Sequence, residues 1–223
     1  MKNNQIRFKF TKTGEFKYLS HLDITRFIIR AMERAQINLE YSQGFNPKPR
    51  LSFSHPTPLG VESVAEYGDA ALSERMDPED FKIKLNSQLK PQLEVQQSKA
   101  ITRKIGSLMA DIGIVLYRFQ LKLPESGCSL EEILNNDIQD VDDIGKTLYE
   151  LAIEPVHDNL YLLNLYGYVK IFKKKNNAIF KYNYFYDYFT GIAEKYNVNI
   201  YSVVKQEMFI ADEGKLLLPM EVI

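Results

Sequence analysis

Residues 5–36 read QIRFKFTKTGEFKYLSHLDITRFIIRAMERAQ, and two periodicities meet inside them. Ile6, Phe8 and Phe10 alternate with Arg7, Lys9 and Thr11, the two-residue repeat of a half-buried strand. After Ser20 the repeat changes. Ile24, Phe27, Ile28, Ala31, Met32 and Ala35 recur at three- and four-residue spacing, which predicts an amphipathic helix to about Gln36. Ser20, with Asp23 three residues on, supplies its N-cap. Arg26, Arg30 and Arg34 stack along another face of the same helix.

Outward from this strand–helix pair the pattern continues. RLSFS and AEYGDAALS read as strands, DPEDFKIKLNSQL as a helix opened by Asp77-Pro78, and LEVQQSKAI as a strand. The order is β-α-β-β-α-β. DIGIVLYRFQLKL starts a second series as a strand, with SLEEILNN as a short helix and two strands around Asp158-Asn159. A long helix over AIFKYNYFYDYFTGIAEKYN and a strand over YSVVKQEMFI complete it. The expected fold is α+β, with two consecutive ferredoxin-like βαββαβ units on antiparallel sheets: residues 1–103, with the basic helix and a proline-rich arm, then residues 104–223. The duplication rests on element order, without a residue-level repeat. The acidic stretch within residues 125–146 is weakly patterned and is expected to carry little structure.

With 223 residues, 45 % hydrophobic and 26 % charged, the chain can bury a core without disulfide or metal staples. Its net charge of −1 gives no global field toward nucleic acid or membrane, but the distribution is uneven. Residues 1–60 hold ten Lys/Arg against four acids, an excess of six positive charges, so the remainder carries −7. The single cysteine, Cys128, excludes an internal disulfide and a cysteine-ligated cluster within this chain, and its place before a short helix suits a small residue better than a nucleophile. No cofactor is therefore expected here. The first ten residues lack the apolar run of a signal peptide, and no apolar segment approaches membrane-spanning length. A cytoplasmic protein without membrane partners is expected.

Residues 41–60, YSQGFNPKPRLSFSHPTPLG, place four prolines in twenty positions. Proline fixes φ and pushes the preceding residue toward extended conformations, so NPKPR is expected to form a stiff extended arm rather than a ladder-forming strand. Gly44 can supply the turn into it. Such an arm would present Phe45, Asn46, Lys48 and Arg50 in fixed directions beside His21, Arg26 and Arg30, with His55 beyond. The plainer alternative is a strand entry and exit held by prolines.

KTGEFKYLSHLD, followed by RAMERAQINLEYSQGFNPKPRLSFSHPTPLGVESVAEY, resembles the bacterial radical-SAM-linked protein family, strongly over about residues 5–75. The resemblance implies a radical SAM protein as partner, encoded beside the chain or fused to it, and assigns no reaction. The family pattern carries a histidine directly after GFNP. This chain has Lys48 there, which removes a titrating group and keeps a cation.

The remaining chemistry is sparse. His21 sits in a helical first turn, where the dipole disfavours an imidazolium. His157 is isolated near the expected hairpin turn and is assigned no role, and three scattered histidines support no metal site. No phosphate-binding loop, dinucleotide fingerprint or nucleophile elbow is present. The aromatic run from Phe180 to Phe189 is expected to be mostly core, and Lys173, Lys174 and Lys175 a solvated turn. The leading expectation is a non-catalytic module that recognises or presents a radical SAM enzyme's anionic substrate, with RNA as candidate and His21, Arg26, Arg30, Phe45, Asn46, Lys48, Arg50 and His55 as contact residues. Two alternatives stay open: an RNA-processing or RNA-modifying enzyme using His21 with basic support, and a protein–protein scaffold.

Overall fold

The computed structural model describes residues 4–103, 105–125, 129–139, 142–172, 177–212 and 215–223; Cys128 and Lys173, Lys174 and Lys175 lie outside them. The chain forms two compact units, Met1–Ile112 with Ile210–Ile223, and Gly113–Phe209. Among the described residues no helix is long and apolar enough to cross a membrane.

In the first unit β1 (Gln5–Lys12) leads through a short 3-10 turn into α1 (His21–Arg34). The Ser20 hydroxyl accepts from the Asp23 amide at 3.2 Å, closing the N-terminus. The C-terminus closes as a Schellman motif. Gln36 takes the left-handed conformation at φ 56°, and the amides of Ile37 and Gln36 reach the carbonyls of Met32 and Glu33. Then follow β2 (Leu51–Phe53), β3 (Glu62–Ala71), α2 (Pro78–Asn86, capped by Asp77) and β4 (Val95–Ala100). The strands lie in the order β4-β1-β3, with β2 also on β3, and these pairings are all antiparallel. Phe8 and Phe10 pack with Phe53, and Phe8 with Phe81, over the buried stripe of Ile24, Ile28, Ala31 and Met32. A short helix α3 (Leu108–Asp111) follows.

The second unit begins with β5 (Ile112–Lys122), whose first residue belongs to the first. The short helix α4 (Leu130–Leu134) stands where SLEEILNN was expected to form one, and a second, α5 (Asp142–Gly145), stands where little structure was expected. For α4 the reason is local: Ser129 and Glu132 form a reciprocal capping box, and Leu130, Ile133 and Leu134 bury one face. The hairpin of β6 (Leu148–His157) and β7 (Leu160–Tyr168) turns at Asp158 and Asn159, both at positive φ, as a two-residue turn requires. After α6 (Tyr182–Lys195) comes β8 (Asn199–Asp212), and the order is β8-β5-β7-β6. Phe119 packs against Phe185 and Phe189, so the aromatic helix is core on one side, while Tyr184 stays exposed. In the first unit the end of β8 pairs with β9 (Lys215–Leu217).

One sequence expectation fails inside β1. Alternation reads Arg7 on the solvent side of a half-buried strand, yet Arg7 is 1 % exposed, and Thr11 and Lys12 are also buried. The polar side of the sheet carries a cover. Arg7 forks onto Asp69 across the β1–β3 pair at 2.7 and 2.9 Å and donates to the Pro219 carbonyl at 2.9 Å, while Lys99 donates to the Met220 carbonyl. The C-terminal segment thus lies on this face.

Removing one partner of such a pair leaves a buried charge. Arg7→Met is expected to destabilise by about 3–5 kcal/mol, and Arg7→Met with Asp69→Leu to recover much of that loss. Urea unfolding of the four proteins measures the coupling, and additive losses would refute it. Gly68 lies opposite Phe8, whose ring occupies the space a Cβ would need. Gly68→Ala should therefore cost about 1–3 kcal/mol by overpacking, read as a lower urea midpoint with an unchanged slope.

Candidate nucleic-acid interface

The proline segment closes on itself instead of extending. Tyr41 bridges Pro49, the Ser42 amide donates to the Lys48 carbonyl at 2.9 Å, and the Lys48 amide donates to the Ser42 hydroxyl at 3.0 Å. One step outward, the Arg50 amide donates to the Glu40 carbonyl, and Ala71 of β3 bonds both strands of the loop base. The prolines forgo donors only at 47 and 49, and residues 42, 48 and 50 supply the bonds. The expected extended arm is therefore a hairpin-like loop. Gly44, at φ 127°, makes the reversal.

Phe45 stands at the tip, fully exposed at 112 % of its reference area, with Asn46 and Lys48 also exposed. The cations differ in how far they are already neutralised. Arg50 is paired with Glu40 at 2.7 Å, and Arg26 lies 3.8 Å from Asp23. Arg34 is tied to the end of α2 through the Gln88 carbonyl and side chain. Neither Arg30 nor the Lys48 ammonium has an ion-pair or hydrogen-bond partner among the described residues. No hydrogen bond, ion pair or ring contact among them joins the loop to Arg26 or Arg30.

The histidines are placed separately. His21 is exposed in the first turn of α1, its ring edge-on to Phe53 at 5.5 Å. His55 donates from Nε2 to the Met109 carbonyl at 3.0 Å, which fixes its tautomer and ties the loop after β2 to α3. The rest of HPTPLG is likewise fastened. The Thr57 hydroxyl donates to the buried Glu66, and the Gly60 amide donates to the Lys17 carbonyl. Among the described residues no group of three His, Cys, Asp or Glu side chains is placed to hold a metal ion.

Sequence reasoning missed a cleft of about 370 Å³ at the foot of the loop. Its floor comes from cross-strand neighbours, Gln5 opposite Ala71 and Ser52 opposite Asp69. Pro49 and Arg50 line it from the loop, and Ile105, Gly106 and Ser107 from the segment before α3. Asp69 was read only as part of a strand, and no sequence signal marked it, because its place opposite Arg7 is set by strand register.

No protein of curated function matches the sequence. Solved structures resemble it distantly. In the archaeal box H/ACA sRNP Nop10–Cbf5 complex the matched chain is 8 % identical at a TM-score of 0.44, over 91 % of this chain and 47 % of that one, so the chain spans about half its length. An unknown protein from Galdieria sulphuraria is 12 % identical at a TM-score of 0.27, covering 89 % of this chain and 96 % of that one. At these scores neither likeness bears on function. The family assignment is firmer: the model of a family described as uncharacterised proteins conserved in bacteria (DUF2344) matches residues 5–154, more than half of the chain, and the chain belongs to that family.

Proposed function

We propose that this chain is a non-catalytic module that holds single-stranded RNA on the loop of residues 42–48 and the outward face of α1, and presents it to a radical SAM enzyme in the cytoplasm. The two units are taken as two ferredoxin-like folds, each with a pair of outer elements on its sheet. The observation that carries the reading is Phe45, an entirely exposed aromatic ring on a loop whose base is locked by backbone hydrogen bonds, with an unpaired ammonium three residues on. Leaving a phenylalanine in water forgoes about 1.5–3 kcal/mol of burial, and a base stacked on it returns about 1–3 kcal/mol. The covered polar face around Arg7 argues against RNA lying on the first unit's sheet, which leaves the loop and helix as its surface.

Charge and stacking separate in one experiment. Arg30 and Lys48 are free to meet phosphates, whereas Arg26 and Arg50 must first leave an acid. With two to four contacts at about −0.7 each, log K should fall by about 1.4–2.8 per decade of salt. Charge reversal of Arg30 and Lys48 together should flatten that slope by about 1.4. Phe45→Ala should lower affinity by about 1–3 kcal/mol and leave the slope unchanged. All three sites are exposed, so unfolding free energies should stay within about 0.5 kcal/mol of the parent. Fluorescence anisotropy with a labelled oligoribonucleotide across salt reads each quantity. Weak, salt-independent binding that ignores both changes would leave only a protein partner. Turnover of RNA abolished by His21→Ala, with binding intact, would make the chain an enzyme.

A further inference from the structure

We propose that the outer edge of β6 docks an extended strand of another protein, one that alternates apolar and basic residues, by adding it to the second unit's sheet. The inference uses neither the loop nor α1. β6 ends the strand order beside β7, and among the described residues no backbone hydrogen bond reaches Leu151 to Glu154 from the side away from β7. At ten residues it is about twice as long as a common strand, and an open edge of that kind is a template for pairing. Its register with β7 is regular from Glu150 to Pro155 and shifts on either side. The addressable run is therefore Glu150 to Glu154, ahead of a proline that brings no amide. An antiparallel edge turns the N–H and C=O of alternate residues outward, which supplies an added strand with bonds whatever its sequence.

Side chains choose the partner. Glu150, Ala152 and Glu154 lie opposite Tyr166, Asn164 and Leu162 on one face of the sheet, and both acids are exposed. Glu154 is held there, since one of its oxygens accepts from the Asn164 amide at 2.6 Å. The Tyr166 phenol is pushed above its ordinary value by burial and then by the charge of Glu150, so the acids act on this face. β6 carries no lysine or arginine to offset them. On the other face Leu151 and Ile153 stand opposite the fully buried Leu165 and Leu163 and are themselves only partly covered. An added strand thus meets carboxylates at two positions four residues apart, with aliphatic side chains at the alternate positions between them. Lysine or arginine opposite the acids, and β-branched residues opposite Leu151 and Ile153, satisfy both faces. A second copy does not fit. The register that pairs the whole run with itself is centred on Ala152 and sets Glu150 of each copy against Glu154 of the other, and like charges directly opposite destabilise a pair. β4, at the other end of the strand order, offers one base, and the Lys99 ammonium is already on the Met220 carbonyl. The acids that keep copies apart are the ones that admit a basic strand.

Three hairpin peptides test the edge. Each is closed by Asn-Gly, and its free strand reads Lys-Val-Thr-Val-Lys, or the same with Thr or with Glu in place of both lysines. They are titrated into the isotope-labelled full chain and followed by its amide NMR shifts. The Lys strand should bind about two- to thirtyfold more tightly than the Thr strand, the effect of two opposite-charge cross-strand pairs, and the Glu strand more weakly than either. The shifts should centre on Leu151 to Ile153, with slowed hydrogen exchange there. Glu150→Lys changes an exposed side chain and should leave the urea midpoint in place. It should bring the Lys and Glu strands to equal affinity, since each then meets one like and one unlike charge. Equal affinity of the parent for all three strands, or no shift in these amides at millimolar peptide, would overturn the proposal. So would a Lys preference that survives Glu150→Lys unchanged, or a parent chain that pairs its own β6 edges. Shifts confined to α1 and residues 42–48 would place the peptide on the other surface and overturn it as well.

Discussion

A guanidinium with 1 % of its surface exposed has to satisfy its N–H groups inside the protein, and Arg7 organises the first unit around that requirement. Two of its nitrogens go to Asp69, which pins β1 to β3 in register, and a third goes to the Pro219 carbonyl, which draws the C-terminal segment over the sheet. Lys99 repeats the device one residue along, on the Met220 carbonyl. The remainder follows from the cover. An antiparallel sheet with a bare polar face could take a ligand anywhere on it. Here that face is partly roofed, and the concavity between β2, β3 and residues 105–107 is what the roofing leaves open. Because a buried ion pair contributes little net stability, its use here is positional: it fixes where Asp69 points.

The loop above the cleft solves a different problem. An exposed phenylalanine stays well placed only if its backbone cannot relax, and residues 42–48 are closed at the base by reciprocal bonds between Ser42 and Lys48. Two prolines lower the freedom of the unfolded chain over the same stretch, so ordering the loop costs less than its length suggests. HPTPLG is stiff for the opposite purpose. Thr57 reaches buried Glu66, His55 reaches α3, and Gly60 reaches Lys17, so this second proline segment is turned inward to hold elements together. Two stretches of similar composition, a few residues apart, serve as a projection and a clamp. The direction of their hydrogen bonds tells them apart.

Local rules were legible where they act through neighbours in sequence. The 3.6-residue stripe and Ser20 cap define α1, Asp77-Pro78 opens α2, and Asp158-Asn159 turns the second hairpin. Each depends on backbone geometry within a few residues. What stayed hidden was decided by distant chain. Arg7 alternates as a solvent-facing residue, and only the return of residues 210–223 to the first unit buries it. The loop misled for a related reason: proline spacing speaks for extension, but the closing bonds come from the residues between and beside the prolines. At the candidate site, the exposure of Phe45 and Lys48 was readable from composition and position. The cleft was not, because Gln5, Ser52, Asp69 and Ile105 meet only through strand order.

The basic excess of the first sixty residues shrinks once each charge is placed. Arg7 and Lys12 are buried, Lys17 lies 3.6 Å from Glu62, Arg34 is bound to the end of α2, and Arg50 faces Glu40. Lys9 sits over the Tyr67 ring, and Arg26 shares a turn with Asp23. What the loop and helix present without prior partners is Arg30 and Lys48. Two phosphate contacts cannot hold a strand tightly at physiological salt, because each contributes only a modest power of the salt concentration to the affinity. If this surface is to discriminate among ligands, the means has to be something other than charge, and the exposed ring of Phe45 is the group placed to supply it.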